Sequence, residues 1–248
     1  MIRSRNPIRL AMWSGPRNIS TAMMRAWETR SDTTVSDEPF YGYYLERTGV
    51  EHPGRDEIIA SMGTDWRRIV QDITGPIPGG RAVWYQKHMT HHILPEMGRD
   101  WLNKLQHCFL IRDPHDVVAS YERVRPEATA EDLGYPQQAE IFDQVLYSAD
   151  IPPPVLDSVD ILANPERMLI ALCAALDLPF TKTMLRWRAG TRTSDGVWAK
   201  HWYTNVETST GFMAPRSSKS ELSDAQKTLA ETCQPFYERL HSFRISAE

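Results

Sequence analysis

The sequence predicts an α/β protein: a parallel sheet flanked by helices, three layers in all, with helical cap insertions. Three observations carry this. The apolar run Ile8-Arg9-Leu10-Ala11-Met12-Trp13 passes directly into turn formers and then a helix, the opening unit of a parallel sheet. Cys108-Phe109-Leu110-Ile111 is apolar at every position, as expected of a strand covered on both faces. Asp113-Pro114 follows it at once, and Asp at the N-cap with Pro at the first helical position starts a helix.

In chain order, Ser14 to Ile19 is a tight loop and Ser20 to Arg30 a helix. Met23, Ala26, Trp27 and Arg30 share one face of that helix, with Arg25 and Glu28 turned away. Thr48 to Gly80, rich in Gly, Pro and charge, reads as a helical excursion, so about 45–80 is a candidate cap. Arg81 to Lys87 is a second buried strand through Val83, Trp84 and Tyr85. The helix opened by Asp113 extends to about Arg123, and Arg125 to Pro154 is a second peripheral helical segment. Val155 to Ser158 is a short strand. Asn164-Pro165 opens a helix with the buried stripe Met168, Leu169, Leu172, Cys173 and Leu176. A polar loop spans Thr208 to Ser220, and a last helix runs from about Ser223 to Leu240.

The length of 248 residues suits one α/β domain with a full core, residues 1–248. A net charge of −4 argues against a nucleic-acid partner but leaves room for a local anion pocket. No apolar run approaches the roughly 18–20 residues that span a bilayer, so no membrane partner is expected. Three arginines precede Leu10 without an apolar signal region after them. Cys108, Cys173 and Cys233 are odd in number and far apart, and the expectation is a cytoplasmic protein. A homodimer is compatible with the sequence, which does not specify oligomeric state.

The segment Ser14-Gly15-Pro16-Arg17-Asn18-Ile19-Ser20-Thr21 has the makings of a phosphate cradle. A helix start offers amides without helical partners and partial positive charge, and phosphate is its natural guest. Arg17 adds a full charge in a forked donor set, and Ser20 and Thr21 place hydroxyls on the first turn. The second glycine and the lysine of the ATP-binding G-x-x-x-x-G-K-[ST] pattern are missing. A plain strand-to-helix turn with a Ser/Thr cap is the alternative reading.

This segment resembles the 5′-phosphosulfate loop of the sulfotransferases, which bind 3′-phosphoadenosine 5′-phosphosulfate (PAPS) and carry G-x-P-R-S-G-T-[TS] in many bacterial members. Asn18 and Ile19 replace the Ser-Gly pair. Phe109-Leu110-Ile111-Arg112-Asp113-Pro114-His115-Asp116-Val117-Val118-Ala119-Ser120-Tyr121 is similar to the family's 3′-phosphate motif, R-D-P-R-D-V-x-x-S. Asp160 to Glu166 resembles the E-D-L-x-x-D-P-E turn, with Val159 at the usual Glu position. Ser209-Thr210-Gly211-Phe212 with Arg216 and Lys219 is similar to the late basic loop over the 3′-phosphate. The resemblance implies a three-layer P-loop NTPase-like sheet, with Arg112, Ser120, Arg216 and Lys219 at the 3′-phosphate. It implies PAPS as sulfuryl donor, the bisphosphate PAP as product, and a small hydroxylated molecule as acceptor. The sequence also looks like bacterial and plant proteins labelled branched-chain aminotransferase-like, but no Schiff-base lysine motif is apparent.

Sulfuryl transfer, like phosphoryl transfer, needs in-line positioning and charge stabilisation at the leaving oxygen, here by Arg17 and the loop amides. No metal is required in principle. A general base must take the acceptor proton. His88 is the first choice, because Lys87-His88 resembles the family's K-x-H segment with the intervening residue absent. His91 and His92 stay candidates. Glu38 and Asp37 are the rivals, since some family members use a carboxylate after the second strand; such a base needs a raised pKa or an easily deprotonated acceptor. Blander readings stand beside these: a hydrogen-bonded histidine at a strand end, solvated turn acids, and core packing for Trp187, Trp198 and Trp202. His88 and His92 lack a third zinc ligand at fitting spacing.

Two other functions remain open, a P-loop nucleotide kinase with an altered loop and a non-catalytic nucleotide-binding protein. The segments from Phe40 to Gly80 and from Arg125 to Pro154 are expected to build the acceptor pocket. Arg67, Arg68, Arg123 and Arg125 allow an anionic acceptor and are equally a solvated face.

Overall fold

The computed structural model describes residues 7–121, 127–214 and 221–246. Five parallel strands form one sheet in the order β2-β3-β1-β4-β5. They are β1 (Ile8–Ser14), β2 (Thr33–Asp37), β3 (Val83–Met89), β4 (Gln106–Ile111) and β5 (Val155–Asp157). The described helices, in chain order, are α1 (Ser20–Glu28), α2 (Tyr41–Thr48), α3 (Arg55–Ser61), α4 (Trp66–Thr74), α5 (Pro114–Tyr121), α6 (Tyr135–Ser148), α7 (Ser158–Ala163), α8 (Pro165–Ala175), α9 (Ala199–Trp202), α10 (Thr204–Glu207) and α11 (Asp224–His241). None of them is long and apolar enough to cross a membrane.

Strand alternation builds the three layers. Leu10 and Met12, with Val83, Tyr85, Cys108 and Leu110, face α1 and α8. Ala11 and Trp13, with Trp84, Phe109 and Ile111, face α4, α6 and α11. The caps read from sequence do what they should: Asp113 Oδ1 accepts from the amide of His115 at 2.8 Å, and Asn164 Oδ1 from that of Arg167 at 3.2 Å.

Two local expectations are corrected, for Arg25 and for the 125–154 segment, and two further segments gain detail. Thr33–Asp37 is a strand, although its polar Thr-Thr-Val-Ser-Asp run signals one weakly; as the sheet edge it needs little apolar cover. Arg25 does not turn outward: its side chain is 1% exposed, held by an ion pair with Asp195. The 125–154 segment is not peripheral, since α6 buries Ile141 and Phe142 completely against the sheet. Its Gln138 Nε2 also donates to the carbonyls of Trp13 and Leu110, both at 3.0 Å, tying the ends of β1 and β4. In the 45–80 segment, Ile58, Ile69 and Ile73 are likewise buried. Residues 122–126 and 215–220 lie outside the described residues, and with them Arg123, Arg125, Arg216, Lys219 and the expected end of the helix opened by Asp113.

Candidate active site

A cavity of about 420 Å³ opens at the carboxyl ends of β1, β2, β3 and β4, where parallel sheets bind ligands. Residues Pro16 to Ala22 form one wall and Arg112, Asp116 and Ser120 another. Glu38, Tyr41, His52, Lys87, His91, His92, Trp202 and Tyr203 line the far end.

The two anion motifs meet here. Arg112 Nη1 donates to the carbonyl of Arg17 at 2.8 Å, and Arg17 Nε donates to Ser120 Oγ at 3.0 Å. Arg17 sits at φ 55°, a left-handed conformation that a non-glycine residue holds at a cost of about 1 kcal/mol or more. Gly15 is required by crowding: a Cβ there would stand 2.5 Å from the Leu133 carbonyl oxygen. Asn18, where the bacterial pattern has Ser, fastens the loop to the sheet. Its Nδ2 donates to the Leu110 carbonyl at 3.0 Å, and its Oδ1 accepts from the Ile19 amide at 2.9 Å. That amide is therefore occupied. The first helical bond runs from the Met23 amide to the Ile19 carbonyl, which leaves the amides of Ser20, Thr21 and Ala22 at the open end of α1. Ser14 is wholly buried, its hydroxyl 3.8 Å from the Met89 sulfur, and so serves packing.

At the far end, Lys87 Nζ donates to Asp37 Oδ1 at 2.9 Å, Glu38 Oε1 at 2.6 Å and the Tyr203 hydroxyl at 2.5 Å. Tyr203 in turn donates to Asp37 Oδ2 at 2.6 Å. Both oxygens of Asp37 are thus engaged, and Asp37 does not border the cavity, whereas Glu38 does. Neither acid is a solvated turn residue. Burial raises the Glu38 carboxyl above the usual carboxylate range; the Lys87 ammonium opposes this and the Asp37 charge adds to it. Burial would lower the Lys87 pKa, but the two carboxylates beside it win and hold its ammonium charged. Like Arg17, Glu38 adopts a positive φ, 44°.

His88 is buried and does not border the cavity. In a strand, neighbours point to opposite faces, so Lys87 enters the cavity and His88 turns away from it. The missing residue of the K-x-H pattern has this consequence. His88 is 1% exposed, stacked on Trp13 at 4.6 Å and within 3.1 Å of Gln86 Oε1. Burial, helped by His107, depresses its pKa to about 3. His91 and His92 do line the cavity. His92 is sandwiched between Tyr41 at 4.7 Å and Tyr44 at 4.8 Å, and burial holds its pKa well below the ordinary histidine value.

Sequence reasoning passed over Lys87, Tyr203, Tyr41 and His52, whose Nδ1 lies 2.8 Å from the Tyr41 hydroxyl. Lys87 was legible, being the first residue of the K-x-H resemblance; Tyr203, a single aromatic in an irregular stretch, carried no signal. Of the three tryptophans, Trp187 and Trp198 are buried and Trp202 walls the cavity. Arg67 and Arg68 lie on α4 and do not line the cavity; Arg67 covers the Trp66 ring and Arg68 pairs with Asp72 at the surface.

The first loop and the end of the fourth strand of a parallel α/β sheet thus bring two arginines, three hydroxyls and a helix start to one cavity. Residues 8–244 match the sulfotransferase domain family, and the chain belongs to it. It is 35% identical over 230 residues to branched-chain-amino-acid aminotransferase-like protein 1 of Arabidopsis thaliana, and 34% identical over 225 residues to protein 2. Those matches cover 93% and 91% of this chain but span only 41% and 40% of the relatives' length. The sulfotransferase family model covers nearly all of this chain, so the aminotransferase-like names do not describe it. A sulfotransferase from Alicyclobacillus acidocaldarius shares the fold, with a TM-score of 0.51, 12% identity and 98% coverage of both chains.

Proposed function

We propose that this chain transfers a sulfuryl group from PAPS to a hydroxyl of a small molecule. The observation that carries this is the junction of Arg17, Arg112 and Ser120 in the same cavity as Glu38 and Lys87. The donor set fits the nucleotide: one cluster of cations, hydroxyls and amides at α1 for the 5′ end, another at α5 for the 3′-phosphate. PAPS, when bound, supplies the activated sulfuryl group and a bisphosphate leaving group. Arg17, Ser20, Thr21 and the open amides of α1 hold the 5′ end and neutralise charge at the departing oxygen. Arg112 and Ser120 hold the 3′-phosphate.

Glu38 is the base in this reading. It borders the cavity, and its raised proton affinity suits it to accept the acceptor's hydroxyl proton near neutral pH. Asp37 is occupied by Lys87 and Tyr203, and His92 has lost proton affinity through burial. Lys87 keeps Glu38 oriented and shares in balancing the charge that builds on the acceptor oxygen. The three cysteines, all free and buried, suit a cytoplasmic setting.

Thermal shift with adenosine 3′,5′-bisphosphate against ATP plus magnesium tests the donor reading; stabilisation by ATP alone would make this a nucleotide kinase. A sulfation screen with labelled PAPS and a metabolite extract, read by mass spectrometry, then identifies the acceptor.

A further inference from the structure

The acid cluster at the far end of the cavity is fastened to the rest of the molecule by a loop as well as by its own strands. The chain from Thr191 to Gly196 lies between α1 and the end of β2. On one side, Arg25 of α1 reaches Asp195 with Nη2, 2.7 Å from each carboxylate oxygen. Both side chains are buried, 1% and 5% exposed. Asp195 Oδ2 also accepts from the Arg192 amide at 2.7 Å, closing the turn, and the Ser194 hydroxyl donates to Glu28 Oε1 of the same helix.

On the other side, the next residue touches the acid cluster. The Gly196 amide points at Asp37 Oδ2, 3.4 Å away. A Cβ on Gly196 would stand 2.1 Å from the Trp198 ring, so the indole lies directly against this glycine. Trp198 Nε1 then donates to the Tyr203 hydroxyl at 3.3 Å, the group that donates to Asp37 and accepts from Lys87. An unbroken series of contacts thus joins the middle of α1 to Glu38. The first turn of α1 carries Ser20 and Thr21.

We propose that the Arg25–Asp195 pair is a positioning device that registers the Asp37–Lys87–Glu38–Tyr203 cluster against the helix holding the donor. The proposal rests on Glu38 being the base. Arg25 and Asp195 border no part of the cavity; they act through Gly196 and Trp198. A buried ion pair is a poor source of net stability, but it fixes geometry strongly, because slippage strands a charge away from water. In-line transfer is sensitive to small misplacements of acceptor against donor, which is what such a tie would prevent.

The test follows the Glu38 carboxyl in protein labelled with carbon-13 at glutamate carboxyls, its resonance assigned as the one absent from Glu38→Gln. Glu38 is faced by Asp37 from β2, Lys87 from β3, Tyr41 from α2 and Tyr203 from the α9–α10 junction. Asp195→Asn frees the loop; Gly196→Ala keeps the ion pair and displaces Trp198. Leu240→Ala in α11, on the opposite sheet face, controls for general destabilisation. With the loop released, water reaches the cluster and the Glu38 midpoint falls by about half a pH unit or more toward the ordinary carboxylate value. It stays put in Leu240→Ala, and affinity for adenosine 3′,5′-bisphosphate changes less than about threefold in all three, since Asp195, Gly196 and Leu240 do not line the cavity. Superimposable Glu38 titrations in wild type, Asp195→Asn and Gly196→Ala would overturn the proposal, as would an equal shift in Leu240→Ala. If Asp195→Asn does not fold, Gly196→Ala decides alone. Should the wild type fail to bind the bisphosphate while the midpoints still move, the donor reading falls, and what stands is that the pair positions the cluster against α1.

Discussion

Arg17 Nε and Ser120 Oγ, 103 residues apart in sequence, are joined by a hydrogen bond of 3.0 Å. One residue lies in the loop after β1 and the other rides on the helix after β4, the strand that pairs with β1. The bond shows that the two phosphate motifs share one mouth of the sheet. It also places the Arg17 guanidinium against the helix that carries Ser120.

Arg17→Ala should weaken adenosine 3′,5′-bisphosphate binding by about 10- to 100-fold, the worth of one or two charge-assisted hydrogen bonds. Arg17→Gly should lose as much affinity yet be about 1 kcal/mol more stable than Arg17→Ala, because glycine takes the positive φ without strain. Calorimetric titration and paired melting curves check both halves. Equal stability of the two variants would show that the loop relaxes when the guanidinium is removed.

Glu38 and His88 part company under mutation. Glu38→Gln should keep bisphosphate affinity and lose about 10²- to 10⁴-fold in turnover with labelled PAPS, the usual share of a general base. His88→Leu, filling a buried site against Trp13, should keep turnover within about threefold, because the ring is outside the cavity. A His88→Leu enzyme that binds normally but does not turn over would return the base role to the histidine.

Much of this was legible in the sequence, for identifiable reasons. The cradle is a local pattern in which a strand, a turn and a helix start follow one another, and the Arg112–Ser120 motif is legible through its resemblance to the family's. The choice among His88, Asp37 and Glu38 was not legible, because the face of β3 a residue occupies decides whether it reaches the cavity. Lys87 and His88 are consecutive, and in a strand that puts them on opposite sides of the sheet. The edge strand β2 was passed over because half its surface needs no apolar cover. Arg25 was placed outward because helical periodicity sorts charges to solvent; its partner Asp195 lies 170 residues away and has no local signature.

Gly15→Ala should destabilise the fold by about 1–3 kcal/mol, since the new methyl meets backbone rather than a yielding side chain. For a chain of this length that lowers Tm by roughly 2–12 °C. The Leu133 carbonyl must retreat to admit it, and Gly134 follows it into α6, whose Gln138 secures β1 and β4. Bisphosphate affinity should therefore fall along with Tm. An unchanged Tm would mean that 127–134 shifts freely.

Lys87→Met removes the cation between two buried carboxylates. Breaking a buried ion group in this way costs about 3–5 kcal/mol at neutral pH. The penalty should shrink as pH falls from 7 to 5, because a proton on Glu38 replaces the missing charge, and Glu38 already binds protons more tightly than an ordinary carboxyl. Denaturant titrations of wild type and variant at both pH values measure the difference. A penalty independent of pH would show that the cost is packing alone.

The wild-type protein should lose stability in acid from a starting point set by its buried histidines. His88 is depressed to about 3 and His107 to about 4, both chiefly by burial, and His92 lies well below its ordinary value. His107 is fixed as a neutral ring by its contacts: Nδ1 accepts from Trp13 Nε1 at 2.9 Å, and Nε2 faces the Leu102 carbonyl at 3.0 Å. The folded pKa values lie below the unfolded value of about 6.5, so the unfolded chain takes up these protons first. The stabilising contribution is complete above about pH 6.5 and is lost as pH falls, down to about 4 for His107 and about 3 for His88. Each histidine steepens the fall by about 1.4 kcal/mol per pH unit within its window. Unfolding free energies measured between pH 7 and 4 should thus decline with a slope that drops by one histidine's worth in His88→Leu. An unaltered slope in that variant would mean that His88 keeps contact with water in the folded state, which its stacking on Trp13 opposes.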